Sequence, residues 1–488
     1  MSSERMSRVD TAWLRMDSDV NLMMIVGVWL LQPGVTLAAL QACIGQRLLQ
    51  YGRFRQRVEQ DALGAQWVDD PHFDIERHVL RATLPSGAGV GERQALQALC
   101  GELAATPLDP HHPLWQFHLV ESYEGGSAII ARLHHCIGDG ISLISVMMSI
   151  TDGGSPPPAR GRRGRKAGVD GEGEGGAAPG DPAWLVGSLL GSLGDLGVKA
   201  VGLAGAGAAR SLDMVARPSV PWQGSLDLAR SGAQLVGDAA SILLMPDDSP
   251  TRLKGPLSGR KVVAWSEPLP LAEVKTVGKG LNCSVNDVLL ACVAGAIGQY
   301  LRDEGDDPTG QEIRAMVPVN LRPLERSHEL GNRFGLAPLV LPVGLANPIE
   351  RVYAVRQRMA ELKGSFQPLL AFGVLAVAGL LVKGAQDAIL NMFSRKATAV
   401  MTNVPGPAQA LQFCGSTLRQ TMFWVPSSGD IGLGVSILSY AGGVQFGLIA
   451  DQARCPDPQS VIDRFGPQFE MLLLATMMLP WAGEQDGP

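Results

Sequence analysis

Aromatic side chains are scarce in this chain, 5% of 488 residues, and neither sign of charge dominates, the net being −6 at neutral pH. A base-stacking platform and a basic phosphate-binding face are both missing, which excludes nucleic acid as the partner. The seven cysteines, at 43, 100, 136, 283, 292, 414 and 455, are odd in number and never form a CxxC pair. That pattern predicts reduced thiols serving as small buried hydrophobes in a cytoplasmic protein. No run reaches the ~20 apolar residues that a bilayer span requires. The nearest stretch, Leu369 to Val382, is short and holds two glycines, so a buried helix is expected there. Met1 to Asp10 is polar and mixed in charge, without the apolar core of a secretion signal.

What the chain has is apolar content and length. At 46% hydrophobic and 18% charged it can build large cores, and its length exceeds what one core organises, so two domains are expected. Val35 to Tyr51 has helical spacing, with Leu37, Leu40, Ile44 and Leu48 on one stripe. Trp115–Ser122 and Ser127–Leu133 read as strands joined by a hairpin turn, Tyr123-Glu124-Gly125-Gly126. Asp152 to Pro182 is rich in Pro, Gly and charge and buries almost nothing, the pattern of a flexible linker. Its basic run, Arg160 to Lys166, reads as a solvated stretch or as a contact to anionic lipid. Trp184–Val215 reads as Gly-rich helix, either packed between domains or lying on a membrane.

A second domain starts near Lys261. Val262–Trp265 and Glu312–Val319 are strand-like, Val285–Leu301 is a strong helix, and Gly434–Tyr440 with Val444–Ala450 forms another hairpin. Ser122-Tyr123-x-Gly-Gly and Ser439-Tyr440-x-Gly-Gly recur in the two hairpin turns, which points to two related halves. The divisions expected are 1–151, a linker 152–183, a helical crossover 184–255, and 256–488.

Only the first half carries His134-His135-Cys136-Ile137-Gly138-Asp139-Gly140. Neighbouring side chains of a strand point to opposite faces, so the two histidines cannot share a pocket or a metal. One belongs in a cleft and one in the structure. An imidazole titrating near neutrality suits general-base removal of a hydroxyl proton. Asp139 can fold back to fix the loop, and Gly138 and Gly140 supply backbone freedom. His111-His112, before Pro113 and without a following Asp-Gly, reads as a loop.

This run resembles the HHxxxDG signature of the CoA-dependent acyltransferase and condensation-domain superfamily. Further blocks resemble its wax ester synthase/diacylglycerol acyltransferase branch. Pro113-Leu114-Trp115 is similar to that branch's PLW motif, and Val285-Asn286-Asp287-Val288-Leu289-Leu290 to its NDVVL motif. Pro318–Arg322, Gly331–Gly335, Asn403–Pro407 and Ser439–Asp451 match other blocks. Departures are Met24-Ile25-Val26-Gly27, where Met-His-Val-Gly is common, Arg333, often uncharged, and the biased linker.

The resemblance implies an α/β (α+β) fold of two chloramphenicol-acetyltransferase-like domains, each a mixed sheet flanked by helices, with the site in a tunnel between them. It implies direct acyl transfer from acyl-CoA to diacylglycerol or a long-chain alcohol, with His135 as base, no acyl-enzyme, and no metal or other cofactor. His134, Asp139, Gly140 and Asn286 join His135 as catalytic candidates, and Pro113, Leu114, Trp115, Asn332 and Asn403 as substrate-binding ones. Asn286 reads as an oxyanion donor or as a helix N-cap. Trp115 reads as a packing anchor or a ligand contact, while Asn332 and Asn403 also suit turns. Cys136 points away from His135 and is not the nucleophile. The implied location is cytoplasmic, peripheral on the inner membrane or lipid inclusions. Competing readings keep the chemistry with an amine, sterol-like or carrier-bound acceptor, or make the chain a non-catalytic lipid binder.

Overall fold

Alternating apolar residues build two large mixed β-sheets in the computed structural model, which describes residues 3–61, 64–85, 91–154, 244–321, 330–365, 367–378, 381 and 383–479. In chain order the first half holds β1 (Ser3–Arg5), α1 (Arg8–Arg15), β2 (Met24–Gln32), α2 (Leu37–Arg47), β3 (Gln56–Asp61), β4 (Gly64–Asp69) and β5 (Val79–Arg81). It continues with α3 (Glu92–Ala105), β6 (Trp115–Tyr123), β7 (Gly126–His134) and α4 (Gly140–Ser149). The second half begins with β8 (Lys261–Trp265), β9 (Leu269–Pro270), α5 (Leu271–Gly280), α6 (Val285–Asp303), β10 (Ile313–Asn320) and β11 (Phe334–Leu341). Then come α7 (Pro348–Lys363), α8 (Gln367–Ala378), α9 (Lys383–Ser394), β12 (Ala399–Pro405), β13 (Gln412–Phe413) and β14 (Ser416–Trp424). The last elements are β15 (Leu433–Tyr440), β16 (Gly443–Asp451) and α10 (Pro458–Met477).

One sheet has the order β13-β14-β2-β7-β6-β5 and the other β11-β10-β12-β15-β16-β8, with β9 beside β16. The chain of the second half thus lends β13 and β14 to the first sheet, where β14 runs antiparallel to β2. A division at residue 256 does not anticipate this exchange, because β14 is completed by pairing and not by chain order. The expected crossover 184–255 is described only over 244–255, and that part is not helical. Pro246 and Pro250 forbid a helix there, and Asp248 instead bonds across to Arg314 N and Thr398 Oγ1. The linker residues 155–182, with the basic run Arg160 to Lys166, the proposed helix Trp184–Val215, and Arg322 lie outside the described residues.

The two hairpins have matching turns. Glu124 and Gly125 take φ of 46° and 73°, and Ala441 and Gly442 take 48° and 83°. Positive φ at both central positions is the twist-compatible hairpin turn, and its recurrence supports two related halves. Helix α6 is apolar nearly all round and is buried accordingly, with α5, α7 and α10 packed against it. Its N-cap is Ser284, whose side chain accepts from Asp287 N while Asp287 Oδ2 accepts from Ser284 N. Asn286 is therefore not the cap. Leu369 to Val382 departs from expectation too. Most of α8 is half-buried, since its Ala371, Val374 and Leu375 border a cavity and not a filled core. Among the described residues no single helix is long and apolar enough to cross a membrane.

Asp451, at the end of β16, clasps the segment entering β8. Its Oδ1 accepts from Ser258 N, Ser258 Oγ and Ala453 N, and Oδ2 accepts from Gly259 N. Lys261 Nζ lies 3.7 Å from Oδ2. Burial works against the charge, and these donors outweigh it, holding the carboxyl below its ordinary range. Asp451→Ala leaves four donors without their acceptor and Lys261 with Asn21 Oδ1 but no carboxylate, and is expected to cost about 3–5 kcal/mol. Urea unfolding with an unchanged slope checks it, and a loss under about 1 kcal/mol would refute the clasp.

Candidate active site

Strand β7 ends at His134, and the backbone there is tied on both sides. His134 N donates to Leu114 O at 2.9 Å and His135 N to Met23 O at 2.7 Å. The side chains diverge as strand geometry requires. His134 is buried; its Nδ1 accepts Cys136 N at 3.1 Å and its Nε2 lies 3.3 Å from Asp17 Oδ2. An Nδ1 that accepts an N–H leaves the ring proton on Nε2, facing Asp17. Burial works against a charge on this ring, and the bond accepted at Nδ1 keeps it neutral, with Nε2–H turned toward the Asp17 carboxylate. His134 is the structural member of the pair.

His135 faces a cavity of about 240 Å³ between the two sheets. Its ring stacks on Trp13 of α1, with centroids 4.2 Å apart and planes 19° apart, and tilts against Phe334 of β11 at 5.5 Å. Nδ1 is enclosed, with the residue's own carbonyl as its neighbouring acceptor, so Nε2 is the nitrogen left for the cavity. Burial pulls the imidazole down to about 4, against the opposing pull of the Asp139 carboxylate. At neutral pH the ring is neutral and its Nε2 lone pair is available.

The loop after His135 is locked to the other half. Asp139 caps α4, its Oδ1 accepting Ser142 N at 2.8 Å, while its Oδ2 accepts Arg333 N at 3.0 Å. Gly138 pairs with Gly331, and a Cβ on it would stand 2.6 Å from Ser142 Oγ. Close approach is what requires glycine at 138. Gly140 differs from expectation: it opens α4 on the cavity wall, and a Cβ there would meet nothing within 4 Å. Asn332 Nδ2 bridges His135 O at 2.8 Å and Asp10 Oδ1 at 2.7 Å, and Asn332 N adds a second bond to Asp10. Asn332 is thus a brace behind His135 and not a cavity residue. Burial lifts the Asp10 carboxyl above its ordinary range although Asn332 donates to it.

The cavity walls are mostly apolar. Met16, Met316, Leu336, Val374, Val400 and Phe423 come from both halves of the chain. Asn286 and Asn403 stand among them, joined by a 2.7 Å bond from Asn403 Nδ2 to Asn286 Oδ1. Freed from capping, Asn286 keeps its own amide N–H groups for the cavity, in the first turn of α6, where the helix dipole favours negative charge. Pro113, Leu114 and Trp115 do not line the cavity. Trp115 is fully buried, with Nε1 bonded to Phe54 O at 2.8 Å, and Leu114 O holds His134 in register. His111-His112 lies in a turn, as expected. Cys136 is buried.

Trp13, Phe334 and Asp10 were missed in the sequence. Phe334 sat inside the block Gly331–Gly335, but Trp13 carries no local signal; only the fold brings α1 onto His135. Among the described residues, no cluster of His, Cys, Asp or Glu could hold a metal ion.

Residues 6–289 match the family model described as wax ester synthase/diacylglycerol acyltransferase catalytic domain, and residues 330–473 match the WS/DGAT C-terminal domain. The chain belongs to this family. It is 27% identical over 427 residues to the probable diacylglycerol O-acyltransferase tgs1 of Mycobacterium tuberculosis, covering 86% of this chain and 84% of that protein. The wax ester synthase/diacylglycerol acyltransferase of Marinobacter aquaeolei VT8 superposes with a TM-score of 0.63 at 19% identity, covering 96% of this chain and 98% of that one. The first condensation domain of the calcium-dependent antibiotic synthetase superposes at 0.55 with 14% identity, over 97% and 96% of the two chains. These likenesses establish the two-domain, chloramphenicol-acetyltransferase-like fold of the family.

Asn286→Ala removes the free amide while the Ser284–Asp287 capping box stays intact. The expected result is a kcat lowered by about 10²–10³-fold with little change in thermal unfolding. A loss of stability without loss of kcat would assign Asn286 to packing.

Proposed function

We propose that this acyltransferase moves a fatty acyl group from acyl-CoA to the hydroxyl of a diacylglycerol or a long-chain alcohol, with His135 as general base. The observation that carries the reading is the His135 imidazole, stacked on Trp13, on the wall of an apolar cavity shared by the two halves. Nε2 takes the hydroxyl proton as the alcohol oxygen attacks the thioester carbonyl. The Asn286 amide donates to the oxyanion that develops. Collapse expels the CoA thiolate, which recovers the proton from the His135 imidazolium, so the proton balance closes without an acyl-enzyme. Acyl-CoA is the co-substrate, and the cycle calls for no further cofactor.

Long chains suit these walls. Each methylene removed from water contributes about 0.8 kcal/mol, so binding improves with chain length until the cavity is filled. Both acceptors are insoluble in water, and we place the working enzyme on the cytoplasmic face of a membrane or on lipid inclusions.

Purified protein given palmitoyl-CoA with diacylglycerol or a long-chain alcohol is expected to release CoA. His135→Ala is expected to lower kcat/KM by about 10²–10⁴-fold with an unchanged circular dichroism spectrum. The base works only when neutral, so the wild-type rate holds as pH falls through the ordinary histidine value of 6.5 and drops only as pH passes through about 4. Unchanged turnover in the variant, or an acid limb centred near 6.5, would contradict the mechanism. Activity with an amine acceptor alone would reassign the substrate.

A further inference from the structure

Two cysteines that the acyl transfer does not use meet where α2 touches the β13–β14 hairpin. Cys43 and Arg47 share one face of α2 at the i, i+4 spacing. Arg47 Nη1 lies 2.6 Å from Asp152 Oδ1. Asp152 in turn holds the hairpin loop: its N donates to Gln412 O at 2.7 Å, and its Oδ2 accepts Gly415 N at 2.8 Å. That loop is Cys414-Gly415, at φ of 52° and 77°. Cys43 belongs to the first-half core, and Cys414 packs against that core half-buried, close enough for the two thiols to interact. Helix, loop and Asp152 thus fix both sulfur atoms in a single packed contact.

We propose that Cys43 and Cys414 form an oxidisable thiol pair that hydrogen peroxide closes to a disulfide. Their surroundings make them unequal. The neighbouring Cys414 and the Arg47 guanidinium, one turn along the same helix face, lower the Cys43 pKa against the effect of burial. Cys414, beside Cys43 and partly enclosed, is pushed up. The Cys43 thiolate therefore attacks first. Its sulfur bonds to one peroxide oxygen, the O–O bond breaks, and the hydroxide released takes up a proton to become water. Cys414 then gives up its proton, and its sulfur displaces hydroxide from the Cys43 sulfenic acid, forming the S–S bond and a second water. Two thiols lose two electrons in total, and one peroxide becomes two waters.

The bond would clasp the exchanged hairpin to the first half. Strand β14, which leaves that hairpin, pairs with β2 and carries Phe423 to the cavity wall. Oxidation would therefore secure the strand exchange on which the site is built.

The test treats full-length protein with hydrogen peroxide, alkylates the remaining thiols and reads non-reduced tryptic peptides by mass spectrometry. The expected result is alkylation at all of the seven cysteines except Cys43 and Cys414, whose peptides are joined by a bond that dithiothreitol reverses. The oxidised protein is expected to unfold at a higher temperature than the reduced one, because closing so long a loop restricts the unfolded chain. Cys43→Ser and Cys414→Ser are each expected to abolish the cross-link and the temperature rise while unfolding, when reduced, near the parent temperature. Thiols all alkylated after treatment, a bond to a different cysteine, or sulfinate at Cys43 without a cross-link would overturn the proposal.

Discussion

The site depends on a set of buried hydrogen bonds that fix the backbone around His135 to both halves of the chain. Met23 O holds its N–H, Asn332 Nδ2 holds its carbonyl, and Asp139 reaches across to Arg333 N. Asp10 anchors Asn332 from behind. Each such bond contributes a net ~1 kcal/mol, but leaving one buried partner unsatisfied costs about 1–3 kcal/mol, so the set stands or falls together. With the backbone fixed and Trp13 stacked on the ring, the imidazole has little freedom to leave the seam. Preorganisation of that kind lets a single side chain serve as the base.

The same apolar seam explains why the base is neutral. Apolar walls that suit an acyl chain also deny water to His135, and a charged ring loses more from that denial than a neutral one. A weakly basic imidazole is then asked to take a proton from an alcohol. In the mechanism we propose, two neighbours offset the difficulty as charge develops: the Asp139 carboxylate favours the imidazolium, and the helix-start amide of Asn286 favours the oxyanion. His134, one residue away and on the opposite face, is kept from this chemistry by the bond it accepts from Cys136 N and by facing Asp17.

Local patterns made much of this legible in the sequence. Strand alternation predicted that His134 and His135 part company, the family resemblance picked out His135, and repeated turn residues revealed the paired hairpins. The motif blocks located Asn286, Asn332 and Asn403, but not what each does. Ser284, two residues before Asn286, takes the cap, which frees the amide for the cavity; Asn332 is spent on backbone atoms behind the base. Pro113, Leu114 and Trp115 act through register and packing, which a motif cannot distinguish from contact with substrate. Trp13 and the β14 exchange were out of reach, because both arise from long-range pairing that leaves no periodic mark on the chain.

The central claim is that the alcohol attacks the thioester directly, with His135 taking its proton and no group on the enzyme carrying the acyl chain. Rapid-quench measurement of CoA release, paired with intact-mass analysis of the protein after mixing with palmitoyl-CoA alone, tests this most directly. Without an acceptor hydroxyl the account predicts no burst of CoA and no acylated protein. A burst equal to the enzyme concentration, with a palmitoyl group on the chain, would contradict it.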